Sequence, residues 1–450
     1  MRSGTGAAAA ASTQDPVGIQ DPVVTKDPVV TKDPVVIVGS GHSGVAVAAG
    51  LRTRGWEGNI LLIEAENELP YERPPLSKEL LKDGAPDESA VLRKEKFYAD
   101  KGIGRLAGVT AESIDRNGRT VLLSNGTRQA YHRLVIATGS RARPLTVPGA
   151  GLAGVRSLRT RGDALELRRL LVPGSRVAII GAGYIGLEVA AAAAAKGCEV
   201  TVLEFQDRVM SRVTSAPVSR HFEQLHERNG VRFVFGAAVT SIDGGQRAER
   251  VTVADGTVFP ADVVLAGIGV IPNQELAARA GIDCRDGILV DGGGRTSDPA
   301  IYASGDVTRF TSPIDNFSQR LECIQNALAQ ADRVAAHIAG QTAAEPEIPW
   351  FWTVQHGIRL QTAGVRHPED QVIVRGEPSG GKFSVVYLRD GRLAAVDTIA
   401  NLSDFRTAKR RIGQGARIDP LLAADPRVPL AEAISGATNH SHADLTAARS

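Results

Sequence analysis

Two hexapeptides in this 450-residue chain share one glycine spacing, Gly39-Ser-Gly41-His-Ser-Gly44 and Gly181-Ala-Gly183-Tyr-Ile-Gly186. The chemistry that spacing serves is the holding of a dinucleotide. The first glycine allows a tight turn, the second lets backbone approach a pyrophosphate, and the third lets a helix pack closely on a strand. The N–H groups and dipole at the helix start then face the phosphates. Each hexapeptide is followed, at the distance expected for a ribose contact, by an acid that ends an apolar run: Glu64 in Asn59-Ile-Leu-Leu-Ile-Glu and Glu204 in Glu199-Val-Thr-Val-Leu-Glu. Two redox dinucleotides held face to face can exchange a hydride, so the pair of motifs points to a flavoprotein reductase.

For each loop to work it must lie between a buried strand and a helix, and the flanks supply both. Pro34-Val-Val-Ile-Val precedes the first and Arg176-Val-Ala-Ile-Ile the second. Strand, glycine turn, helix, strand is the alternation that builds a parallel sheet, so the fold class is α/β with two Rossmann-like dinucleotide-binding units. Arg119 to Leu123 alternates as a strand and meets an Asn125-Gly126 turn; Arg133 to Gly139 reads as a buried strand ending in a tight turn. A helix is expected from about Glu322 to Ala339. After Glu345-Pro-Glu-Ile-Pro349, two strand-like runs flank Asp390-Gly391, which gives a C-terminal α+β domain. The expected division is a leader over 1–32, a part with the first glycine loop over 33–147, a unit with the second over 148–269, a further part over 270–344, the C-terminal domain over 345–433 and a tail over 434–450. The leader repeats Asp-Pro-Val from Asp15, Asp21, Asp27 and Asp33. The prolines deny its early copies a continuous buried strand, so it is read as disordered.

Composition narrows the classes. A net charge of +2 gives no global drive toward nucleic acid, and no run approaches the roughly 18 apolar residues of a membrane span. The three cysteines, Cys198, Cys284 and Cys323, lie far apart with no CxxC, which argues against a zinc site and a paired redox disulfide and favours a reducing cytoplasm. His440 and His442 read as solvated tail residues, so no metal is expected.

The segments Tyr71-Glu-Arg-Pro-Pro-Leu-Ser-Lys78, Ala137-Thr-Gly139, Gly267-Ile-Gly-Val-Ile-Pro-Asn273, Arg295 to Asp306, Glu322 to Ala327 and Pro349-Trp-Phe-Trp352 join the two glycine loops in an order that resembles the FAD-dependent, NADH-using ferredoxin reductases of bacterial oxygenase systems. The resemblance spans roughly 33–433. It implies a glutathione-reductase-like fold, an FAD-binding domain split in sequence into 33–147 and 270–344 around an NAD-binding domain at 148–269, and a C-terminal domain at 345–433 over the flavin. Residue by residue it implies that Gly39, Gly41 and Gly44 meet the FAD pyrophosphate and Glu64 the adenosine ribose. Arg73, Ala137, Thr138, Gly139 and Asp306 would line the same cofactor, as would Gln325 and Trp352. Gly181, Gly183, Gly186, Glu204 and Gly269 would serve NADH. Lys78 and Glu188 would be the catalytic pair beside the reacting rings. The chain departs from the family where a carboxylate in Trp-Ser-Asp-Gln is replaced by Val354, and where Ile324 stands in place of a common Trp.

Hydride transfer is chiefly a positioning problem, which suits a lysine fixed by a carboxylate. The loop after the first acid carries Ser77-Lys78 and no cysteine. Electrons are therefore expected to leave the flavin directly, one at a time; the resemblance implies that they pass to a [2Fe-2S] ferredoxin that serves a P450 or Rieske-type oxygenase. Lys409, Arg410 and Arg411 could steer such an acidic partner, and a monomer or weak homodimer is expected. Alternatives are another acceptor, such as a quinone or monodehydroascorbate, and an NADH-sensing protein like apoptosis-inducing factor.

Overall fold

The computed structural model describes residues 34–86, 90–312, 316–344 and 347–435. The expected leader and all but the start of the expected tail, with His440 and His442, lie outside the described residues. Two five-stranded parallel sheets carry the glycine loops. The first runs in the order Ile301–Ala303, Arg133–Ile136, Val35–Val38, Ile60–Ile63, Ile103–Leu106. The second runs Arg232–Phe235, Glu199–Glu204, Arg176–Ile180, Val263–Ala266, Val155–Arg156. Their central strands Val35–Val38, Arg133–Ile136 and Arg176–Ile180 are buried almost throughout, as continuous Val/Ile/Leu runs require. Each is accompanied by a three-stranded antiparallel sheet, Ala111–Asp115 with Thr120–Leu123 and Arg128–Ala130 in one case, Val239–Asp243 with Arg250–Val253 and Val258–Pro260 in the other.

A third, antiparallel assembly is built on Trp350–Gln355, Ile358–Gly364, Arg392–Ile399, Lys382–Arg389 and Gln371–Glu377. The helix Leu402–Arg411 packs on it, and Phe405 and Ala408 enter a core with Val386, Val396 and Leu388. The helix His42–Thr53 packs on Ile324–Ile338, with Val47, Ala48 and Leu51 buried beside Ala331, Val334 and Ala335.

Three boundaries differ from the sequence reading. The strand expected from Arg119 begins at Thr120, because Arg119 takes a left-handed φ of 47° in the preceding turn. The helix expected from Glu322 begins at Ile324, since Cys323 is extended at φ −143°. Ile434–Ser435, placed in the tail, pairs with Arg417–Ile418 as a short strand.

Candidate functional site

The first glycine loop is shaped by backbone contacts that exclude side chains. Gly39 has φ +105°, and an ideal Cβ on it would stand 2.2 Å from the Ala137 carbonyl oxygen; one on Gly44 would stand 1.9 Å from Gly39 O. Gly41 is different, because a Cβ there would meet nothing within 4 Å. It faces a cavity of about 660 Å³ whose wall includes Gly39, Gly41, Arg73, Ala137, Thr138, Gly139 and Asp306. No side chain caps the helix that opens at His42, whereas Thr160 caps the helix Arg161–Leu170 in a full capping box. First-turn N–H groups without a side-chain acceptor, at the mouth of a cavity and beside a glycine, fit a phosphate-bearing ligand.

The cavity wall is charged and internally paired. Asp306 accepts from Arg159 Nη2 at 3.0 Å and from Ser140 Oγ at 3.2 Å. Arg73 Nη2 lies 3.2 Å from Glu66, which also accepts from the Tyr71 hydroxyl at 2.5 Å. Burial and the nearby Arg73 push the His42 imidazole down to about 4, so it is neutral at pH 7. Cys323 lines the same cavity, and burial pushes its thiol up to about 11, away from the reactive thiolate.

Glu64 is not on this cavity's wall. It is 1 % exposed, and its two oxygens accept Arg105 Nε at 2.8 Å and Nη2 at 2.9 Å. The cavity wall instead carries the two residues after it, Ala65 and Glu66. The physical reason is Arg105 at the end of the neighbouring strand Ile103–Leu106, which pulls the carboxylate onto the sheet edge.

The second loop repeats the backbone solution. Gly181 has φ +101° and Gly186 would clash with Gly181 O at 2.3 Å, while Gly183 is open to at least 4 Å and the helix Tyr184–Ala195 has no side-chain cap. Glu204 behaves otherwise than Glu64: it is half-buried and accepts the Ala182 N–H of the loop itself at 2.6 Å and Gln206 N–H at 2.8 Å. Gly269, at φ +94°, stands by the Arg212 guanidinium. Arg208 folds back onto Thr214 O, Ser211 O and Ser219 Oγ and is committed to its own loop.

Between the two units, Lys78 Nζ meets Glu188 Oε2 at 2.6 Å, although the residues lie 110 positions apart. Ser77 Oγ donates to the same oxygen at 2.5 Å, and Thr353 Oγ1 from the antiparallel sheet donates to Glu188 Oε1 at 2.6 Å. Sequence reading found Lys78 and Glu188 but missed Ser77, Thr353 and Arg159. Thr353 had a signal, since it keeps a hydroxyl where the related motif has Ser; Arg159 had none.

Trp352 lines a second cavity of about 780 Å³ with Pro74, Pro75 and Leu328, and this cavity shares His42 and Ile324 with the first. Gln325 lies apart from both: it borders a smaller space of about 190 Å³ with Arg333 and Gln330. Lys409, Arg410 and Arg411 end the helix Leu402–Arg411; Lys409 reaches Glu347 at 3.4 Å and the Trp350 ring at 5.1 Å, and the two arginines are exposed. Among the described residues no helix is long and apolar enough to cross a membrane.

Residues 33–331 match the model of the pyridine nucleotide-disulphide oxidoreductases and residues 350–434 that of the reductase C-terminal domain. The chain is 43 % identical over 408 residues to putidaredoxin reductase of Pseudomonas putida, which covers 89 % of this chain and 97 % of that one. It is 42 % identical over 398 residues to a ferredoxin–NAD(P)+ reductase of Sphingomonas sp, covering 88 % and 96 %. Among solved structures, the covalent complex of putidaredoxin reductase with putidaredoxin matches with a TM-score of 0.87 at 43 % identity over 89 % of this chain and 98 % of that chain. A ferredoxin reductase from Rhodopseudomonas palustris matches with a TM-score of 0.86 at 41 % identity, over 90 % of this chain and 100 % of that chain. The chain belongs to the pyridine nucleotide-disulphide oxidoreductase family and carries that family's reductase C-terminal domain.

Proposed function

We propose that this protein is an NADH:ferredoxin oxidoreductase that uses noncovalent FAD. The observation that carries the reading is the cluster of Ser77 and Lys78, from beside the first glycine loop, on Glu188 of the second loop's helix. It ties together the two dinucleotide units where their reacting rings would meet. FAD supplies the conversion of a hydride into two single electrons. The backbone around Gly39, Gly41 and Gly44 would hold its pyrophosphate, with Arg73 and Asp306 on the cavity wall beside it. The backbone at Gly181 to Gly183 would hold NADH. Glu188, with three donors on its two oxygens, fixes the Lys78 ammonium in one place, and a fixed cation needs no reorganisation when negative charge develops nearby. Lys78 and Glu188 are thus the pair assigned to the reaction.

No cysteine touches this cluster. Cys198 and Cys284 are half-buried with thiols raised by burial, and neither lines the cavities of the site. A direct exit of single electrons suits a [2Fe-2S] ferredoxin, with Arg410 and Arg411 as exposed steering charges. The related structure solved with putidaredoxin supports a small iron–sulfur protein as the partner. Mixing the purified protein with NADH under anaerobic conditions should bleach the flavin within seconds. Cytochrome c reduction should then appear only after a ferredoxin is added. Equal cytochrome c or quinone reduction without ferredoxin would overturn the assignment of the acceptor.

A further inference from the structure

The hydrogen bonds around Glu188 continue past Thr353. The Thr353 hydroxyl accepts from Gln355 Nε2 at 3.3 Å, Gln355 Oε1 pairs with His226 Nε2 at 2.9 Å, and His226 Nδ1 pairs with His356 Nε2 at 3.1 Å. Thr353, Gln355 and His226 are each 0 % exposed. A buried amide and a buried imidazole are costly unless every partner is in place, so packing alone would favour apolar side chains at these positions.

The chain has one direction, and Glu188 sets it. A carboxylate only accepts, so the Thr353 hydroxyl must give its proton to Glu188 and can only accept from the other side. That turns the Gln355 N–H toward Thr353 and its carbonyl toward His226. His226 must then present Nε2–H and leave Nδ1 bare, which His356 Nε2–H fills. Burial holds His226 low, at about 4, so the neutral ring this arrangement needs is the form present at pH 7.

Two backbone features flank Gln355. His356 has φ +46° and Gly357 φ +78° in the two-residue turn between Trp350–Gln355 and Ile358–Gly364, which brings the His356 ring over His226. Met210 has φ +51°; its sulfur lies 3.9 Å from Gln355 Nε2, and its N–H donates to the Ala182 carbonyl in the second glycine loop. Non-glycine residues hold a left-handed φ only where their surroundings fix it. His226 lies on the helix Ala216–Arg228 of the second unit and Gln355 on the antiparallel sheet, so the chain also joins those two parts.

We propose that Gln355 and His226, completed by His356, are positioning residues for Glu188: they fix the Thr353 hydroxyl as its donor and thereby hold the carboxylate on Lys78. This inference rests on the assignment of Lys78 and Glu188 to the reaction. The FAD-loaded enzyme is tested by anaerobic stopped-flow reduction over a series of NADH concentrations up to saturation, in Gln355→Leu, in Glu188→Gln and in the double variant. Gln355→Leu should slow the hydride step about tenfold with NADH affinity within about twofold of wild type, and the double variant should be no slower than Glu188→Gln alone. Additive losses would show that Gln355 does not act through Glu188 and would overturn the proposal. If Glu188→Gln runs at the wild-type rate, the role assigned to the pair fails; if it is slow and Gln355→Leu is not, only the positioning inference fails. A second readout needs no turnover. In 15N-histidine spectra at pH 7, the ring signals that vanish in His226→Gln should be those of a neutral ring protonated at Nε2, and protonation at Nδ1 instead would overturn the proposed direction even if Gln355→Leu does not fold.

Discussion

Gly44 and Gly186 press on Gly39 O and Gly181 O in the same way, Gly41 and Gly183 open in the same way, and neither helix is capped by a side chain. The acids that follow the two loops part company. Glu64 is sealed against Arg105 beneath its loop, while Glu204 stays half-buried and holds the N–H of Ala182. The glycine spacing therefore dictates the turn, and residues far away in sequence dictate what the acid can reach. One unit spends its carboxylate on its own sheet and presents a walled, arginine-bearing cavity suited to a cofactor that stays. The other keeps its carboxylate beside the loop, on the N–H groups of Ala182 and Gln206.

The largest expected effect breaks the likeness of the two loops. A Cβ on Gly41 meets no protein atom within 4 Å, so Gly41→Val should fold, yet its side chain fills the space where backbone must approach a pyrophosphate. The variant should purify colourless with a near-normal far-UV spectrum. Gly183→Val should stay yellow and lose NADH reduction instead. Full flavin content in Gly41→Val would end the assignment of the first loop.

Next come the acids themselves. Glu64→Ala removes the partner of an arginine whose side chain is 12 % exposed, and breaking such a pair costs about 3 to 5 kcal/mol; the remaining bond to Glu95 puts the expectation at the lower end. Glu204→Ala, at a half-buried site, should cost about 1 kcal/mol or less. Denaturant midpoints of the two variants measure the difference, and equal losses would erase the contrast between the acids.

Cofactor choice is the smaller, functional side of the same contrast. A 2′-phosphate about 4 Å from Glu204 would cost about 1 to 4 kcal/mol, depending on effective dielectric. NADH should be preferred over NADPH by roughly tenfold to a few hundredfold in kcat/KM. Arg208 is committed to Thr214, Ser211 and Ser219 and so offers NADPH no relief, which leaves the exposed Arg212 as the nearby cation. Equal use of both nucleotides would show that Glu204 does not meet the ribose.

What the sequence made legible follows from locality. Strand, glycine turn, helix and strand are contiguous, so both parallel sheets and both loops could be read from period and turn chemistry alone. The RPPLSK lysine and Glu188 emerged through family resemblance. Their meeting across 110 residues, and the hydroxyl of Thr353 that completes the cluster, depend on how three sheets pack. The setting of Glu64 was illegible for the same reason: its run reads like that of Glu204, and the partner that sets it apart is Arg105, 41 residues on. Gln325, on the helix Ile324–Ile338, borders a smaller space with Gln330 and Arg333, and which wall it joins is set by the packing of that helix and not by its own run of residues.

The smallest expected effect tests whether electron exit is independent of both loops. Arg410 and Arg411 are exposed at the end of a helix on the third sheet, while Lys409 is tied to Glu347 and Trp350. Reversing only the two arginines to Glu spares that contact and changes the local charge by four units. If they steer an acidic ferredoxin, ferredoxin-dependent cytochrome c reduction should slow several-fold at about 0.01 M salt, where the Debye length is roughly 30 Å. The gap should narrow at about 0.15 M, where it is roughly 8 Å. Flavin content and NADH reduction, which belong to the two loops, should not move. Ferricyanide is a poor control because it is itself an anion, so flavin absorbance is the reference signal. Unchanged ferredoxin kinetics at low salt would make these arginines a solvated helix end, and the search for the docking face would move to the surface around Trp352, Leu328 and Pro75 at the mouth of the second cavity.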